Sequence, residues 1–234
     1  MSSDFSRGVL VMVPTLNEET GIKRVLEDMP EGLRALVVDG GSTDKTVDAA
    51  KQHQAVTIAQ RFGKGKGCGV RTGMEHFLNT DHSILCMIDG DGSNDPRELP
   101  KMIEVLEDGK ADVVLGSRIR GRREGGAMGP FTILSNLTVS LFLGLRFLRV
   151  FTDVQTGYWA FTKKAVQTVY PNLKAKGFEI EMEIFVQTLH ARLECIEVPA
   201  RYRKRLGRTK FRLSLRLRNF GYLIYYLLRS FWPR

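Results

Sequence analysis

The chain has 234 residues, of which 43% are hydrophobic, so it can bury the core of one large α/β domain. Its formal net charge of +9 predicts anionic partners, such as nucleotides, nucleic acid or an acidic membrane surface. Three dispersed cysteines and four histidines lack the spacing of metal ligands or paired thiols, which argues against a zinc site and a disulfide framework.

Short apolar runs alternate with helical patterns in the N-terminal half of the chain. Strands are predicted at Val9–Val13, Ala35–Val38, Ala55–Ala59, Ile84–Ile88 and Asp112–Leu115. Helices are predicted at Glu18–Asp28, Lys45–Gln52, Gly69–Leu78 and Pro96–Leu106. Strands rich in Val and Ile with helices between them are typical of βαβ units, so the sequence predicts an α/β fold with a mostly parallel sheet.

The second half begins with Gly116–Gly129, a loop rich in Gly and Arg. A helix over Phe131–Phe151 is predicted by leucines and an isoleucine at helical spacing, and a helix and a strand follow at Glu179–Leu189 and Leu193–Val198. We assign residues 1–210 to one domain and residues 211–234 to a basic, aromatic C-terminal segment that is predicted to be amphipathic.

Neither a secretory leader nor a membrane-spanning helix is predicted. Residues 1–7 are polar, and the longest charge-free stretch, 127–145, contains Gly129-Pro130 and several polar residues. A spanning helix needs about 20 mostly apolar residues. We therefore expect a soluble or peripheral protein.

The run Ile84–Ile88 leads directly into Asp89-Gly90-Asp91. Two carboxylates one residue apart at the exit of a buried strand can hold Mg²⁺ or Mn²⁺, which reach proteins through one or two carboxylates plus substrate phosphates. A polar turn is the alternative, because Asp and Gly are common turn residues.

Two further loops follow predicted strands, and ligands of parallel α/β sheets bind beyond the carboxyl ends of the strands. Asp39–Asp44 offers a carboxylate to a nucleobase or ribose, although capping of the next helix also explains its Ser and Thr. Gly63–Gly69 offers backbone N–H groups and lysine charge to an anion, with Lys64 and Gly65 at its centre; a solvated loop is the alternative.

Taken in order, these segments resemble the inverting GT-A glycosyltransferases of family 2, which have a Rossmann-like sheet flanked by helices. Val11–Glu18, Asp39–Asp44, Gly63-Lys64-Gly65 and Asp89-Gly90-Asp91 are similar to the first four motifs of that family. Three later segments resemble its polyprenyl-phosphate branch, which includes dolichyl-phosphate mannose and glucose synthases: Gly116-Ser117-Arg118, Asp153–Tyr158 and Val198–Lys210.

The resemblance implies a nucleotide-sugar donor, GDP-mannose or a UDP-hexose, and a role for each matching residue. Asp91 is the more direct ligand of the implied Mg²⁺ or Mn²⁺, assisted by Asp89, and Arg118 and Asp153 serve the transferred sugar or the acceptor. The implied nucleotide-sugar site also includes Pro14, Leu16, Glu18, Asp39, Lys64 and Gly65. The implied phosphate clamp consists of Arg118, Arg203, Arg205, Arg208 and Lys210.

The sequence departs from the family pattern at two places. Gly40 replaces the second Asp of a common Asp-Asp pair, and Ser93 stands where many members carry a Gln metal ligand. From the residues alone, Glu179 and Glu181 are candidates to hold sugar hydroxyls, with helix capping or surface charge as the alternative.

Three functions are compatible with these features of the sequence. The first is a peripheral enzyme on the cytoplasmic face of a membrane that moves a hexose to dolichyl or another polyprenyl phosphate, with inversion. In it, Phe131–Phe151 and Phe220–Trp232 lie in the membrane interface, although a core or dimer helix is the alternative for each. The second is a soluble family 2 enzyme with a small phosphorylated acceptor. The third, a basic nucleic-acid-binding protein, is disfavoured because the basic run lacks interleaved aromatic residues.

Overall fold

A computed structural model describes residues 8–207, 221–222 and 224–226. Its strands are β1 (Val9–Thr15), β2 (Arg34–Asp39), β3 (Val56–Ala59), β4 (Ile84–Ile88), β5 (Val113–Ser117), β6 (Tyr158–Thr162) and β7 (Cys195–Pro199). Its helices are α1 (Glu19–Glu27), α2 (Thr46–Gln52), α3 (Lys66–Leu78), α4 (Leu99–Glu107), α5 (Pro130–Arg146), α6 (Lys163–Val169) and α7 (Ile180–His190).

The seven strands form one sheet in the order β3-β2-β1-β4-β6-β5-β7. All neighbouring strands are parallel except β6, which runs antiparallel to both β4 and β5. Helices α3, α5, α6 and α7 contribute to the core on one face of the sheet, and α1, α2 and α4 to the core on the other. The predicted α/β architecture with a mostly parallel sheet is therefore confirmed.

The sequence reading missed β6 and α6 and counted six strands instead of seven. β6 has side chains buried on both sides: Trp159 and Phe161 pack in one core, Tyr158 and Ala160 in the other. A five-residue strand buried on both faces has no polar-apolar alternation, and its first residue, Tyr158, also ends the Asp153–Tyr158 motif. Tyr158 also donates a hydrogen bond to the backbone oxygen of Asp95 at 2.9 Å, which ties β6 to the segment after β4.

Helix α5 ends at Arg146, five residues before the predicted boundary of 151. Leu148 adopts a φ of 56°, and the N–H of Arg149 turns back to the carbonyl of Gly144 at 2.9 Å. These contacts terminate the helix in the manner of a left-handed cap.

The two faces of α5 are both apolar, but only one is covered. Val139 and Leu143 pack in the core, whereas Phe131, Leu134, Leu141, Phe142 and Leu145 are each more than half exposed. Within the described part of the chain, no helix is both long and apolar enough to cross a membrane. Helix α5 thus presents an exposed apolar surface, formed by those five residues, without being a candidate span.

A matched pair of substitutions tests this orientation of α5. Leu143→Ala should lower the free energy of unfolding by about 2–5 kcal/mol, because a fully buried leucine is removed from the core. Leu141→Ala, on the exposed face, should change it by about 0.5 kcal/mol or less. Urea unfolding of both variants measures the difference, and equal losses would contradict the assignment of the two faces.

Candidate active site

A cleft of about 410 Å³ opens at the carboxyl ends of β1 to β4. It gathers residues from all four loops that the sequence singled out, together with Phe178 and Arg205 from the second half of the chain. Of the predicted donor site and metal ligands, the cleft is lined by Pro14, Leu16, Glu18, Lys64, Gly65, Asp89 and Asp91. The topology explains the clustering, because parallel strands bring their carboxyl ends to one edge of the sheet.

Lys66, at the N-terminus of α3, bridges two carboxylates. Its Nζ lies 2.6 Å from Oδ1 of Asp89 and 2.6 Å from Oε1 of Glu181. Burial opposes the charge of Lys66, but these two partners raise its pKa above the usual value. Burial also raises the pKa of Glu181 to about 7. The charge of Lys66 lowers this pKa, and the charge of Asp89 raises it. The bridge joins the loop after β3, the loop after β4 and α7 around one buried cation.

Arg205 forms a second bridge, between Asp91 and Glu18. Its Nη1 lies 3.1 Å from Oδ2 of Asp91, and its Nη2 pairs with Oε1 of Glu18. Asp91 is further oriented by Ser93, whose Oγ and backbone N–H donate to Oδ1 at 2.5 and 2.9 Å. Ser93 therefore acts here as a donor that fixes Asp91.

The glycines after β3 allow close backbone packing. A Cβ on Gly65 would lie 2.3 Å from the carbonyl oxygen of Lys176, and one on Gly67 would lie 2.4 Å from that of Ala175. Gly65 also adopts a φ of 117°, which L side chains rarely tolerate. The loop is thus pressed against residues 175–177, and this contact brings Lys66 within reach of Glu181.

Asp39 lies at the end of β2, next to the cleft, and stabilises its own loop. Its carboxylate accepts hydrogen bonds from the backbone N–H groups of Gly41 and Ser42, both at 3.0 Å. Gly40 and Gly41 line the cleft beside it. These hydrogen bonds give Asp39 a role within its own loop that the sequence did not predict.

The carboxylates suit a divalent cation that is completed by a ligand. Asp89 and Asp91 supply oxygen donors at the cleft, and each is now balanced by a basic side chain. Among the described residues, no three His, Cys, Asp or Glu side chains cluster as a metal site. The donor set fits Mg²⁺ or Mn²⁺ bound by one or two carboxylates plus phosphate oxygens, and does not fit an all-protein cage.

Arg118 and Asp153 form a buried pair beside this cluster. Arg118 donates from Nε to Oδ2 of Asp153 at 2.7 Å and from Nη2 to Oδ1 at 2.6 Å. Its backbone N–H also donates to Oδ2 of Asp153, at 2.9 Å. Burial opposes the charge of Arg118, but Asp153 raises its pKa, with a smaller contribution from Glu181. Asn136 of α5 donates to the same carboxylate at 3.2 Å. Asp153 is fully buried, so its contacts are those of a group that orients Arg118.

The predicted phosphate clamp is divided by the structure. Arg205 lines the cleft, but Arg203 is 5% exposed and pairs with Asp28 at 2.5 Å and with the backbone oxygen of Asn94 at 3.2 Å. Arg203 therefore fastens the segment after β7 to the end of α1. Arg208 and Lys210 lie outside the described residues.

Sequence reasoning missed Lys66, Gln60 and Phe178 as residues of the cleft. The lysine could have been found, because it stands in the same glycine-rich loop as Lys64. Gln60 directly follows β3, and its amide donates to the carbonyl of Gly63 at 2.6 Å. Phe178 gave no signal, since it lies far along the chain from the loops after β1 to β4 and outside every motif named above.

Comparison with known proteins identifies the family. Residues 10–169 match the model of glycosyl transferase family 2. The chain belongs to that family, as its motifs predicted, and carries a glycosyltransferase domain. It is 33% identical over 196 residues to the Glycosyltransferase AglJ of Haloferax volcanii. The aligned residues cover 83% of this chain and 62% of that relative. It thus spans less than two thirds of the length of that relative.

Two further similarities bear on the fold and on related activities. The chain is 29% identical over 220 residues to the undecaprenyl-phosphate mannosyltransferase of Micrococcus luteus, covering 86% of each. The fold is similar to that of glucosyl-3-phosphoglycerate synthase from Mycobacterium tuberculosis in complex with Mn²⁺, UDP-glucose and phosphoglyceric acid. That match has a TM-score of 0.74 at 22% identity and covers 97% of this chain and 81% of the other. The predicted GT-A fold is confirmed.

The contrasting contacts of Arg203 and Arg205 generate a test. Arg203→Ala should lower the free energy of unfolding by roughly 2–3 kcal/mol, less than for a fully buried pair because Asp28 is partly exposed. Arg205→Ala should destabilise less, since its carboxylates face an open cleft, and should weaken binding of UDP or GDP by about tenfold or more. Urea unfolding and calorimetric titration measure the two effects. The reverse order of effects would contradict the division of the clamp.

Proposed function

We propose that the protein transfers a hexose from a nucleoside diphosphate sugar to a polyprenyl phosphate, with inversion, at the cytoplasmic face of a membrane. The observation that carries this proposal is the physical link between the cleft and α5. Asn136 and Ser140 of α5 bond to Asp153 and to the N–H of Val154, and Asp153 holds Arg118. A helix with an exposed apolar surface is thereby fixed to a cation beside the cleft.

The donor is proposed to lie along the cleft. Pro14, Leu16 and Asp39 are assigned to the nucleoside, and Asp89 and Asp91 to the diphosphate end, where Lys64 and Arg205 supply positive charge. A bound Mg²⁺ or Mn²⁺ would add charge that stabilises the leaving diphosphate. Glu18 orients Arg205, and Glu181 pairs with Lys66, which lines the same cleft.

The acceptor is proposed to approach from the side of Arg118. A lipid phosphate is already anionic near neutral pH, because its second pKa is roughly 6, so no strong general base is required. The task of the chain is to bring two anionic groups together, and fixed cations perform it without reorganisation. The mannosyltransferase from Micrococcus luteus, whose name states an undecaprenyl phosphate acceptor, supports this choice.

Transfer of label tests the proposal directly. The protein is incubated with Mn²⁺, radiolabelled UDP- and GDP-sugars, and dolichyl or undecaprenyl phosphate, and the label in the organic phase is measured. Label in that phase is expected. Label found only on a water-soluble phosphorylated acceptor such as 3-phosphoglycerate would support the second function instead. Salt-sensitive binding to nucleic acid without any sugar transfer would support the third.

Asp91→Asn should reduce turnover about 100-fold or more while leaving the fold intact, because the neutral amide keeps the shape of the side chain but loses its charge. Steady-state rates at several Mn²⁺ concentrations and circular dichroism check both parts. Asp108→Asn is the matched control, since Asp108 is exposed and pairs only with Lys110 in the described structure. Near-wild-type, Mn²⁺-dependent activity of Asp91→Asn would refute the assignment.

Leu141→Glu with Leu145→Glu should abolish the part of vesicle binding that survives high salt. Apolar burial is insensitive to screening, whereas basic residues contribute about 1 kcal/mol each near an anionic surface and are screened. Co-sedimentation with anionic vesicles at low and high salt measures both parts. Val56→Glu, at an equally exposed apolar position on β3, is the control.

Transfer to a long polyprenyl phosphate should fall in the same double variant, and transfer to a short soluble analogue should fall less. If the double variant sediments and transfers like the wild type, α5 is not the membrane contact.

A further inference from the structure

A second cavity, of about 730 Å³, lies away from the cleft and shares no lining residue with it. It is formed by the start of α4, by the loop after β5 and by the chain just after β7. We call it the basic cavity, and its charged lining comprises Lys101, Arg120, Arg122, Arg123 and Arg201 against Glu98 and Glu124.

The frame of the basic cavity is closely packed and hydrogen-bonded. A Cβ on Gly121 would lie 1.8 Å from the carbonyl oxygen of Ala200, so the loop after β5 is packed directly on the backbone after β7. Tyr202 closes the contact, with its N–H bonded to the carbonyl of Arg122 at 2.8 Å and its carbonyl accepting from the N–H of Glu124 at 2.9 Å. The cavity therefore exists before any ligand arrives.

The arginines of the basic cavity fall into two groups. Arg120 and Arg123 are used by the frame, because they donate to backbone oxygens of Glu197 and of Arg118 at 2.9 and 2.8 Å. Arg122 is exposed and has no ion-pair partner in the described part of the chain. Arg201 is half exposed, and its Nη1 comes no closer than 3.8 Å to Asp95, whose carboxylate already accepts two bonds from Arg97. Arg122 is thus unpaired in the described structure and Arg201 is held only by a long ion pair, so both guanidinium groups can bind a ligand.

The geometry points to a second anion site here, for an organic phosphate ester or diphosphate. Guanidinium groups bind phosphate oxygens in a bidentate manner, and an excess of positive charge favours a multiply charged group. The volume exceeds the needs of one phosphate group, so an organic part is accommodated as well. The phosphate can belong to a soluble ester or to a lipid headgroup.

The inference does not depend on the proposed transfer reaction, because its test measures binding. Inorganic pyrophosphate is titrated calorimetrically into the protein in the presence of EDTA. The double variant Arg122→Ala, Arg201→Ala should weaken binding by about tenfold for each guanidinium removed. Both side chains are exposed or half exposed, so the fold should persist, which circular dichroism checks. The variant with Lys at both positions should retain part of the affinity.

Two controls separate the basic cavity from general charge and from the cleft. Arg34→Ala with Lys51→Ala removes two exposed cations elsewhere and should leave pyrophosphate affinity unchanged. Arg205→Ala weakens anion binding at the cleft, so the pyrophosphate binding that Arg122→Ala, Arg201→Ala removes should be the same in the wild-type and in the Arg205→Ala background. If the cavity variant binds like the wild type, or no more weakly than the Arg34, Lys51 variant, the site does not exist.

Vesicles distinguish the source of the phosphate. The same variants are sedimented with vesicles of phosphatidylcholine and phosphatidic acid. Loss of pyrophosphate binding together with the salt-sensitive part of vesicle binding in the cavity variant supports a lipid headgroup as the ligand. Loss of pyrophosphate binding alone supports a soluble phosphate ester.

Discussion

The site depends on the neutralisation of four carboxylates by two bridging cations. Lys66 lies between Asp89 and Glu181, and Arg205 between Asp91 and Glu18. Removing one partner of a buried ion pair costs about 3–5 kcal/mol. That range applies to Lys66, whose partner Glu181 is buried, and the cost is smaller for Arg205, whose carboxylates face the open cleft. The same pairs hold the site ready for a phosphate ligand, since the cations can exchange a carboxylate for a phosphate oxygen.

A second buried ion pair extends this logic to the side from which the acceptor is proposed to approach. Arg118 is locked by both oxygens of Asp153, and Asp153 is in turn bonded to Asn136 of α5. The fixed cation and the apolar surface of α5 are therefore parts of one rigid unit. For an acceptor with a charged head and a long apolar tail, such a unit aligns both ends at once.

The sequence predicted the parallel half of the sheet well, because Val- and Ile-rich runs followed by polar loops mark β1 to β4 and their carboxyl ends. It missed β6, whose Tyr-Trp-Ala-Phe-Thr run is buried on both faces and shows no period. It also treated Arg203 and Arg205 alike, although one fastens α1 and the other lines the cleft. Spacing in a basic run cannot tell these roles apart, because they are set by which acids lie opposite. Lys66 and Glu181 are 115 positions apart, a contact that only the fold creates.

The central claim is that a divalent cation at Asp89 and Asp91 is completed by the ligand's phosphates and not by further protein groups. Electron paramagnetic resonance of Mn²⁺ measures free and bound metal in the same sample. The account predicts weak Mn²⁺ binding to the protein alone and much tighter binding once UDP or GDP is added, in a ratio of one metal to one nucleotide. Tight Mn²⁺ binding without nucleotide, unchanged when nucleotide is added, would contradict it.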